Sequence, residues 1–266
     1  MIKTSTNQSK WAVILCGGRG SRLGDITDTK PKPLVEVHGK PIMWYTFWTL
    51  YNHGFRNFVL PLGYKSEMIE KYFRKISADT DSTVIAIDTG IDTSIALRMD
   101  KISKYIPENK DFFILNSDTL FDFDIESMYQ LHKKKNALLT LSSVDVVSTW
   151  GLIMVNDDKV IGFERERKVR HLFAGKGKEE GLVYSGFSWI NKKTISKIDL
   201  QTCGDFETNV YQNAIDLGRT AHYSINGLWF PIDTPKDLQI INMMLGDRHS
   251  LGSTAKAYKT RLEDRK

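Results

Sequence analysis

A group of glycines and positively charged residues near the N-terminus has the residue types and the spacing of a phosphate-binding loop. The glycines follow a short apolar run, the arginine comes two residues after the last glycine, and the lysine lies between two prolines. Glycine lets the backbone take positive φ angles and approach a ligand closely, and successive N–H groups in such a loop bind phosphate oxygens. The arginine adds a planar charged fork, and the lysine adds a compact charge on a stiff segment. These residues are Gly17, Gly18, Gly20, Arg22 and Lys32.

Two widely known glycine motifs do not fit this segment. A dinucleotide-binding G-x-G-x-x-G motif counted from Gly18 would need glycine at the position of Leu23. A P-loop would need serine or threonine after a Gly-Lys pair, but the pairs that begin at Gly39 and Gly175 are followed by proline and by glycine. The segment therefore predicts a nucleoside triphosphate site of another kind. The alternative is a strand-to-loop turn that needs glycine only for its shape.

Two aspartates are candidate ligands for a metal ion. Asp118 follows the apolar segment 112–115, and Asp233 follows a second apolar segment. Two carboxylates can hold one Mg²⁺ against phosphate oxygens, because magnesium is usually bound by one or two carboxylates together with substrate phosphates. Both aspartates have a structural alternative as helix or turn caps. Asp122 and Asp124 form a rival D-x-D pair, although acidic residues at the start of a helix are the commoner explanation.

The order of elements along the chain predicts an α/β fold. The predicted strands are 12–15, 58–62, 84–87, 112–115 and 137–144, and the predicted helices are 42–52, 65–76, 94–105 and 125–135. Such alternation predicts a doubly wound, mainly parallel mixed sheet, which binds ligands at the carboxyl ends of its strands. From 150 to 190 the pattern changes to short strands and a hairpin. We interpret this stretch as a small β-rich extension that completes the substrate pocket.

The chain is predicted to form one domain. No linker rich in proline, glycine or serine divides it. We expect residues 1–10 to be a flexible N-terminal extension, residues 11–245 to be the single domain, and residues 246–266 to be a charged C-terminal tail.

Composition excludes several classes of protein. Hydrophobic residues make up 41% and charged residues 26% of the 266, which is ordinary for a globular domain. No apolar run approaches the roughly 18 residues of a membrane helix, and the N-terminus lacks the apolar core of a signal peptide. The net charge of +5 is spread along the chain without a recognisable nucleic-acid-binding module. Cys16 and Cys203 form neither a disulfide framework nor a zinc motif, so a cytoplasmic location is expected.

The N-terminal motif resembles the signature of the sugar-1-phosphate nucleotidylyltransferases, G-G-x-G-[ST]-R-L followed by P-K-P. Within that superfamily the chain is most similar to the glucose-1-phosphate cytidylyltransferase family. The similar blocks are Lys30 to Ile42, Gly63-Tyr-Lys65, Asp88-Thr-Gly90 and Trp229 to Asp237. The resemblance covers about residues 11–245. It implies a nucleotidyltransferase fold of the Rossmann-like, GT-A-like kind.

The resemblance also implies an activity and roles for individual residues. The expected reaction is nucleotidyl transfer from CTP to a sugar phosphate, with Mg²⁺ as cofactor, in a homo-oligomer. Arg22 and Lys32 would be catalytic, and Asp118 and Asp233 would hold the metal. The residues expected to bind the nucleotide are Cys16, Gly17, Gly18, Gly20, Ser21, Gly63, Tyr64, Lys65, Asp88, Thr89 and Gly90. The segments around 63–65 and 88–90 have plain turns as their alternative interpretation.

The acceptor side departs from the family pattern. The family has Phe-x-Glu-Lys-Pro, whose lysine contacts the sugar phosphate, whereas this chain has Phe163-Glu-Arg-Glu-Arg-Lys168. The family also has a glycine pair before an arginine where this chain has Ile95-Ala-Leu-Arg98. These changes put glucose 1-phosphate in question as the acceptor. The residues expected to bind the sugar phosphate are Arg165, Arg167, Lys168, Ser185 and Gly186.

Three other functions remain open at this point. A guanylyl- or uridylyltransferase would use the same triphosphate loop with a different base. A glycosyltransferase would use Asp122 and Asp124 for its metal, but its diphosphate donor needs no triphosphate clamp. A catalytically inactive relative is disfavoured because Arg22, Lys32 and the candidate metal ligands are all present.

Overall fold

The computed structural model describes residues 9–147, 152–156, 158–165, 168–169, 171–173 and 180–246. The strands are β1 (Lys10–Leu15), β2 (Glu36–Val37), β3 (Lys40–Pro41), β4 (Phe55–Leu62), β5 (Thr83–Asp88), β6 (Asp111–Asn116), β7 (Thr119–Asp122), β8 (Leu139–Val144), β9 (Val146–Val147), β10 (Leu152–Asn156), β11 (Lys159–Glu164), β12 (Lys168–Val169), β13 (His171–Phe173), β14 (Glu180–Asn191), β15 (Thr220–Ser224) and β16 (Leu228–Pro231). The α-helices are α1 (Ile26–Thr29), α2 (Ile42–Asn52), α3 (Ser66–Ser77), α4 (Ile95–Ser103), α5 (Ile125–Lys134), α6 (Lys192–Ile195), α7 (Phe206–Asp216) and α8 (Pro235–Gly246). Short 3-10 helices span Ser21–Leu23 and Lys32–Leu34.

A mixed, mainly parallel sheet forms the centre of the fold. Its strand order is β15-β8-β14-β6-β1-β4-β5, and β13 also pairs with β14. β1 is parallel to β4 and β6, β4 is parallel to β5, and β8 is parallel to β15. Only β14 among these strands of the described chain runs antiparallel to its neighbours β6 and β8. The predicted doubly wound α/β fold is therefore confirmed.

Successive side chains of the central strands enter two different cores. In β1, Ala12 and Ile14 pack with α2, α3 and α5, whereas Val13 packs with α4, α6 and α7 on the other face. Because both faces of these strands are covered, the strands are apolar at nearly every position. That continuity is what makes them recognisable in the sequence.

Most predicted elements occur with small shifts at their ends. The helix predicted over 42–52 has those bounds as α2. The helix predicted over 94–105 is shorter, because Ser94 is the N-cap of α4 and its hydroxyl accepts a hydrogen bond from the Leu97 N–H at 3.3 Å. The strand predicted from 137 begins at Leu139, after a turn in which Asn136 has a φ of 46°.

Pro61 lies inside β4, a strand that has a neighbour on each side. Its pairing with β5 is continuous and aligns Pro61 with Ile87. Pairing with β1 has a register shift between Lys10 and Trp11, continues as far as Val59 and resumes as a single bridge between Cys16 and Leu62. A proline cannot donate to a strand ladder, so the interruption has a local cause in the sequence.

A third packing region joins the C-terminal part of the chain to the N-terminal loops. β16 pairs antiparallel with β7, and α8 follows directly. Ile241 and Leu245 of α8 belong to the same buried cluster as Leu23 and Val37. This packing brings the chain that leaves β16 next to the chain that leaves β6.

The β-rich extension predicted over 150–190 is confirmed as strand-rich but is wrong in its extent, because β14 from Glu180 onward is a central strand of the main sheet between β6 and β8. β10 and β11 pair as an antiparallel hairpin, and β12 pairs with β9. The domain limits stay predictions. β1 begins at Lys10, and most of the predicted N-terminal extension (1–10) and of the predicted C-terminal tail (246–266) lies outside the described residues. Within the part of the chain that is described, no helix is both long and apolar enough to cross a membrane.

Candidate active site

A cleft of about 600 Å³ lies at the carboxyl ends of β1 and β6. Its lining combines the loop after β1, the segment 91–95 that leads into α4, and the residues that follow β6. Ligand sites of open α/β sheets are expected at this edge. The predicted site residues that line the cleft are Cys16, Gly17, Gly18, Gly20, Ser21, Arg22, Lys32 and Asp118.

The ammonium group of Lys32 lies between the two candidate metal ligands. Its Nζ donates hydrogen bonds to Oδ2 of Asp118 at 2.7 Å and to Oδ1 of Asp233 at 2.8 Å. The Lys32 side chain is 8% exposed, and the carboxylates are about a quarter exposed. Charge-assisted hydrogen bonds of this kind are among the stronger ones in proteins. The structure therefore brings together three residues that the sequence predicted to share a site.

The pairing of β7 with β16 brings the two aspartates to the same place. Asp118 precedes β7, and Asp233 follows β16, whose Pro231 aligns with Thr119. The N–H of Ile232 donates to the carbonyl oxygen of Asp118 at 2.9 Å. This main-chain contact extends the pairing of β7 with β16 as far as Asp118. Both carboxylates therefore reach the Nζ atom of Lys32.

Arg22 adds a second positive charge to the cleft, next to that of Lys32. Its Nη2 lies 3.0 Å from Oδ1 of Asp233, and its side chain is 70% exposed. An exposed guanidinium keeps most of its hydration and can exchange a carboxylate for a phosphate at little cost. Arg22 is therefore positioned to bind an anion that enters the cleft.

The glycine of the loop that the fold most clearly requires is Gly20. It has a φ of +69°, and a Cβ there would lie 2.7 Å from the Cβ of Lys32. Left-handed backbone favours glycine, and the close approach excludes a side chain. Gly18 differs, because a Cβ there would meet nothing within 4 Å.

Cys16 has no nucleophilic role in this geometry. Burial raises the pKa of its thiol to about 12, against a smaller lowering by the charge of Arg98. The thiol donates a hydrogen bond to the carbonyl oxygen of Ile14 at 3.2 Å. A neutral, buried thiol contributes packing and shape to the cleft wall.

Arg98 is a cleft residue to which the sequence assigned no role. It is 5% exposed on α4, and its guanidinium contacts main-chain carbonyl groups of the loops around the cleft. The available signals were the arginine that the family pattern also has at this position and its place between Ala96 and Met99, both of which are buried. Sequence spacing alone does not distinguish such a residue from an exposed one.

The turn predicted to contact the base lies beside the glycine loop. The N–H of Tyr64 donates to the carbonyl oxygen of Gly17 at 3.0 Å. The side chains point elsewhere: the Tyr64 hydroxyl donates to the carbonyl of Thr27 at 2.9 Å, and Lys65 Nζ donates to that of Asp28 at 2.5 Å. Any nucleotide contact of this turn would therefore come from its backbone. Lys65 has a φ of 50° and precedes α3 directly.

The segment Asp88 to Gly90 lies next to the end of β4 and does not line the cleft. Thr89 is buried, and its N–H and hydroxyl both donate to the carbonyl oxygen of Leu62, at 2.9 and 2.5 Å. Asp88 is exposed and accepts hydrogen bonds from the Ser66 hydroxyl and the Gly90 N–H. These contacts explain the segment as a structural turn, and its contact with nucleotide stays a prediction.

Of the residues predicted to bind the sugar phosphate, the three that the structure describes in full, Arg165, Ser185 and Gly186, do not line this cleft. Arg165 is exposed at the end of β11, with its guanidinium 5.9 Å from the ring centre of Phe163. Arg167 lies outside the described residues, and of Lys168 only its place in β12 is described. Ser185 is buried, and its hydroxyl bonds that of Ser142 at 2.5 Å.

Gly186 is the member of this group nearest to the cleft. It has a φ of +84°, and a Cβ there would lie 3.1 Å from Nδ2 of Asn116, a residue of the cleft lining. The pairing of β14 with β8 is irregular between Tyr184 and Ser188, so this part of β14 leaves the ladder.

The rival D-x-D pair has a structural explanation. Asp124 is the N-cap of α5, and its carboxylate accepts hydrogen bonds from the N–H of Ser127 at 2.9 Å and from its hydroxyl. Asp122 lies in β7 and pairs with Leu228 of β16. The contacts of Asp124 are those of a helix cap, whereas Asp122 is a strand residue.

Asp118 and Asp233 fit a magnesium ion by their chemistry. They already enclose a cationic nitrogen, so their oxygens converge on one point. Among the described residues no group of three or more His, Cys, Asp or Glu side chains could hold a metal. A site with two carboxylates suits Mg²⁺, which keeps its other positions for water and substrate phosphates.

Comparison with known proteins agrees with this geometry. A probable glucose-1-phosphate cytidylyltransferase from Bacillus subtilis (strain 168) is 30% identical over 252 residues, covering 88% of this chain and 95% of the relative. A D-glycero-alpha-D-manno-heptose 1-phosphate guanylyltransferase from Aneurinibacillus thermoaerophilus is 34% identical over 161 residues, 58% of this chain and 67% of that protein.

The fold is similar to that of a solved structure. A putative glucose-1-phosphate thymidylyltransferase from Bacillus anthracis has a TM-score of 0.69 at 19% identity, covering 94% of this chain and 99% of that one. The sequence profile described as Nucleotidyl transferase matches residues 11–246, which include the glycine loop, Lys32 and both aspartates. The chain therefore belongs to the nucleotidyl transferase family.

Proposed function

We propose that this protein is a Mg²⁺-dependent cytidylyltransferase. It would transfer CMP from CTP to a sugar phosphate, glucose 1-phosphate or a related phosphorylated small molecule, and release pyrophosphate. The observation that carries the proposal is the position of Lys32 between Asp118 and Asp233, at 2.7 and 2.8 Å, beside a glycine loop. A positive charge and two carboxylates that could hold a metal ion at one point are suited to binding a triphosphate and neutralising its charge.

The reaction needs positioning and charge neutralisation more than a reactive side chain. An oxygen of the sugar phosphate attacks the α-phosphorus of CTP in line and forms a new P–O bond. The bond from the α-phosphorus to the bridging oxygen breaks, and its electron pair leaves with pyrophosphate. The loop N–H groups and Arg22 hold the β- and γ-phosphates, and Lys32 stabilises negative charge at the α-phosphate. No histidine is found among the described residues of the cleft lining.

Asp118 and Asp233 would hold the magnesium ion. When bound, Mg²⁺ neutralises phosphate charge and aligns the reacting groups. The side chain of Lys32 occupies the same oxygens in the structure. Lys32 would therefore change partner from carboxylate to phosphate when the substrates enter.

The choice of base has one specific competitor. The relative from Bacillus subtilis, a probable cytidylyltransferase, matches most of this chain, whereas the guanylyltransferase relative has higher identity over a shorter span. Coverage of the whole fold favours CTP. A guanylyl- or uridylyltransferase acting on another sugar phosphate is the second candidate.

The acceptor would be bound on the side of Gly186 and the β-rich extension. Arg165, Arg167 and Lys168 supply the positive charges that a sugar phosphate needs there. This part of the proposal rests on the resemblance and on the charge of the segment.

A matrix of four nucleoside triphosphates against many sugar and polyol phosphates tests the proposal by pyrophosphate release. CTP is expected to give turnover with one phosphorylated acceptor. Turnover with another triphosphate and none with CTP would overturn the base assignment. Asp118→Ala is expected to abolish turnover, whereas Asp122→Ala should retain it. The reverse pattern would favour a glycosyltransferase.

We also propose that the protein is a cytoplasmic homo-oligomer. The hairpin β10–β11 exposes the cross-strand pairs Ile153–Phe163 and Val155–Val160, each side chain about 60% exposed. Contiguous exposed apolar patches mark interaction surfaces. Light scattering is expected to give a mass above one chain for the wild type and a lower mass for a double Val155→Lys, Val160→Lys variant. A monomeric wild type would contradict this.

A further inference from the structure

Asn116 is a half-buried residue of the cleft whose side-chain amide has no partner in the protein. It ends β6 and lines the cleft two positions before Asp118. On the same face of β6, Phe112 and Ile114 are buried in the core. Among the residues that the structure describes, none forms a hydrogen bond with Nδ2 or Oδ1 of Asn116. The strand therefore changes from apolar to polar on this face where it reaches the cleft.

The two neighbouring strands leave the amide of Asn116 uncovered. In the sheet, β6 lies between β1 and β14. On the β1 side Asn116 aligns with Leu15, whose apolar side chain offers no hydrogen bond. On the β14 side a Cβ at Gly186 would lie 3.1 Å from Nδ2 of Asn116. The amide thus lies over a residue without a side chain, on the side of β6 opposite to the strand that carries the glycine loop.

The irregular part of β14 around Gly186 is held in place by hydrogen bonds. Trp229 Nε1 donates to the carbonyl oxygen of Ser185 at 2.8 Å. The N–H of Phe187 donates to the hydroxyl of Ser185 at 3.2 Å. Trp229 belongs to β16, the strand that leads to Asp233. One strand therefore positions both a candidate metal ligand and the backbone beside Asn116.

A free amide at this place is suited to hydroxyl groups. A primary amide has two N–H donors and one carbonyl acceptor, and a hydroxyl group can both donate and accept. A phosphate offers only acceptors, and the positive groups that suit a phosphate, Arg22 and Lys32, lie beside Asp233. Polar groups that are withdrawn from water usually have a partner. Because the described fold supplies none for Asn116, a bound ligand is the natural partner.

We propose that the amide of Asn116 binds two neighbouring hydroxyl groups of the acceptor and thereby contributes to the choice of acceptor. Nδ2 donates to the oxygen of one hydroxyl, and Oδ1 accepts from the other. This inference rests on the proposed function, because it concerns the acceptor of the same reaction. It assigns to Asn116 an effect on the acceptor and none on CTP.

The experiment measures kcat/KM for glucose 1-phosphate and for its monodeoxy analogues at saturating CTP, in the wild type and in Asn116→Leu. Leucine has nearly the size of asparagine but no hydrogen-bonding group. In the wild type, loss of either of two neighbouring hydroxyls should lower kcat/KM about 10-fold or more. In Asn116→Leu the value for glucose 1-phosphate should fall by a similar factor, and loss of the same hydroxyls should then have little further effect.

Two results would overturn the proposal. An equal loss for glucose 1-phosphate and for every deoxy analogue would show that Asn116 has only a structural role. A KM that rises for CTP but not for 2′-deoxy-CTP would place the amide at the ribose of the nucleotide. If glucose 1-phosphate gives no turnover, the sugar phosphate with the highest turnover and its own deoxy analogues take its place.

Two further variants separate this role from a loss of folding. Asn213→Leu makes the same replacement at an exposed position of α7 that does not line the cleft, and it should leave every kcat/KM unchanged. Asn116→Ala ends the side chain before the amide and should lose the same hydroxyl discrimination if Asn116→Leu does not fold. Thermal melting without ligand checks the folding of each variant.

The outcomes also separate this inference from the proposed function. A wild-type protein that releases pyrophosphate with no pair of triphosphate and acceptor would refute the proposed function, and this inference with it. An active wild type whose folded Asn116→Leu variant keeps its full discrimination among the deoxy analogues would refute only the role of Asn116.

Discussion

The Nζ atom of Lys32 donates a hydrogen bond to Oδ2 of Asp118 at 2.7 Å, although 86 positions separate them in the chain. The same nitrogen reaches Asp233. One cation thus lies between two carboxylates that would otherwise repel each other, and Arg22 adds a second positive charge at Asp233. A divalent ion and the ammonium group must compete for these oxygens, because both are attracted to the same negative charge.

Removal of the Lys32 charge should separate its two roles. In Lys32→Met, turnover is expected to fall about 10²- to 10³-fold, as for loss of one group that stabilises a transition-state charge. Binding of Mn²⁺ without nucleotide should become tighter, because the competing ammonium is gone. Pyrophosphate release measures the first effect, and the paramagnetic signal of free Mn²⁺ measures the second.

Lys30→Met is the matched control for that change. Lys30 is two residues away on the same segment and pairs with the exposed Glu36 at 2.8 Å. It should change neither turnover nor Mn²⁺ affinity appreciably. Equal Mn²⁺ affinity in Lys32→Met and wild type would contradict competition at the two aspartates.

The two glycines at 18 and 20 should differ in their tolerance of a methyl group. Gly20→Ala places a Cβ against Lys32 and strains a backbone with a φ of +69°. We expect a loss of about 2 kcal/mol in the free energy of unfolding. Gly18→Ala, which meets open space, should change it by less than about 0.5 kcal/mol. Urea denaturation measures both, and equal losses would show that proximity to Lys32 is not the cause.

Asp111 should stabilise the fold in a pH-dependent way. Burial by itself would raise its pKa, but the nearby His132 ring, whose Nε2 lies 3.4 Å from Oδ1, and hydrogen bonds from Asn191 and Lys133 outweigh burial and hold the pKa well below its usual range. Asn191 Nδ2 lies 2.6 Å and Lys133 Nζ 3.0 Å from the carboxylate. The stabilisation is therefore present above the unfolded pKa of about 4 and is lost as pH falls below it.

Asp111→Asn tests this linkage. At pH 7 the variant should unfold with about 2–4 kcal/mol less free energy than wild type, since it leaves a buried polar network incomplete. The difference should shrink as pH falls from 5 to 3. Asp79→Asn, an exposed site, should match wild type throughout. A difference that does not depend on pH would show that the charge of Asp111 is not responsible.

The two cysteines should differ in reactivity. At pH 8 a thiol with a pKa of about 12 is deprotonated to only about 10⁻⁴, and Cys16 is also buried. Ellman's reagent should therefore modify Cys203 first in the native protein, and Cys203→Ser should remove the fast phase. A fast phase that persists in Cys203→Ser would mean that Cys16 is accessible.

Much of the fold follows from local patterns. The helix over 42–52 is recognisable because its apolar residues recur at helical spacing. The central strands are recognisable because both faces of the sheet are covered, so that nearly every position is apolar. The sequence predicted Ser94 as the first residue of a helix, whereas it is the N-cap that precedes α4. The direction of a side chain in a turn is not encoded locally. Tyr64 and Lys65 donate to main-chain carbonyl groups of α1, and their contact with nucleotide stays a prediction.

The sequence by itself determined the glycine loop, since Gly20 and Lys32 are close in the chain and their types and spacing predict a phosphate site. Only the tertiary structure decided which distant charges meet at that loop. Asp233 reaches Asp118 through the pairing of β16 with β7, and Arg98 reaches three loops from α4. Such meetings depend on long-range strand pairing and on which helix face is buried. Local spacing does not encode either one, because each results from the packing of the whole chain.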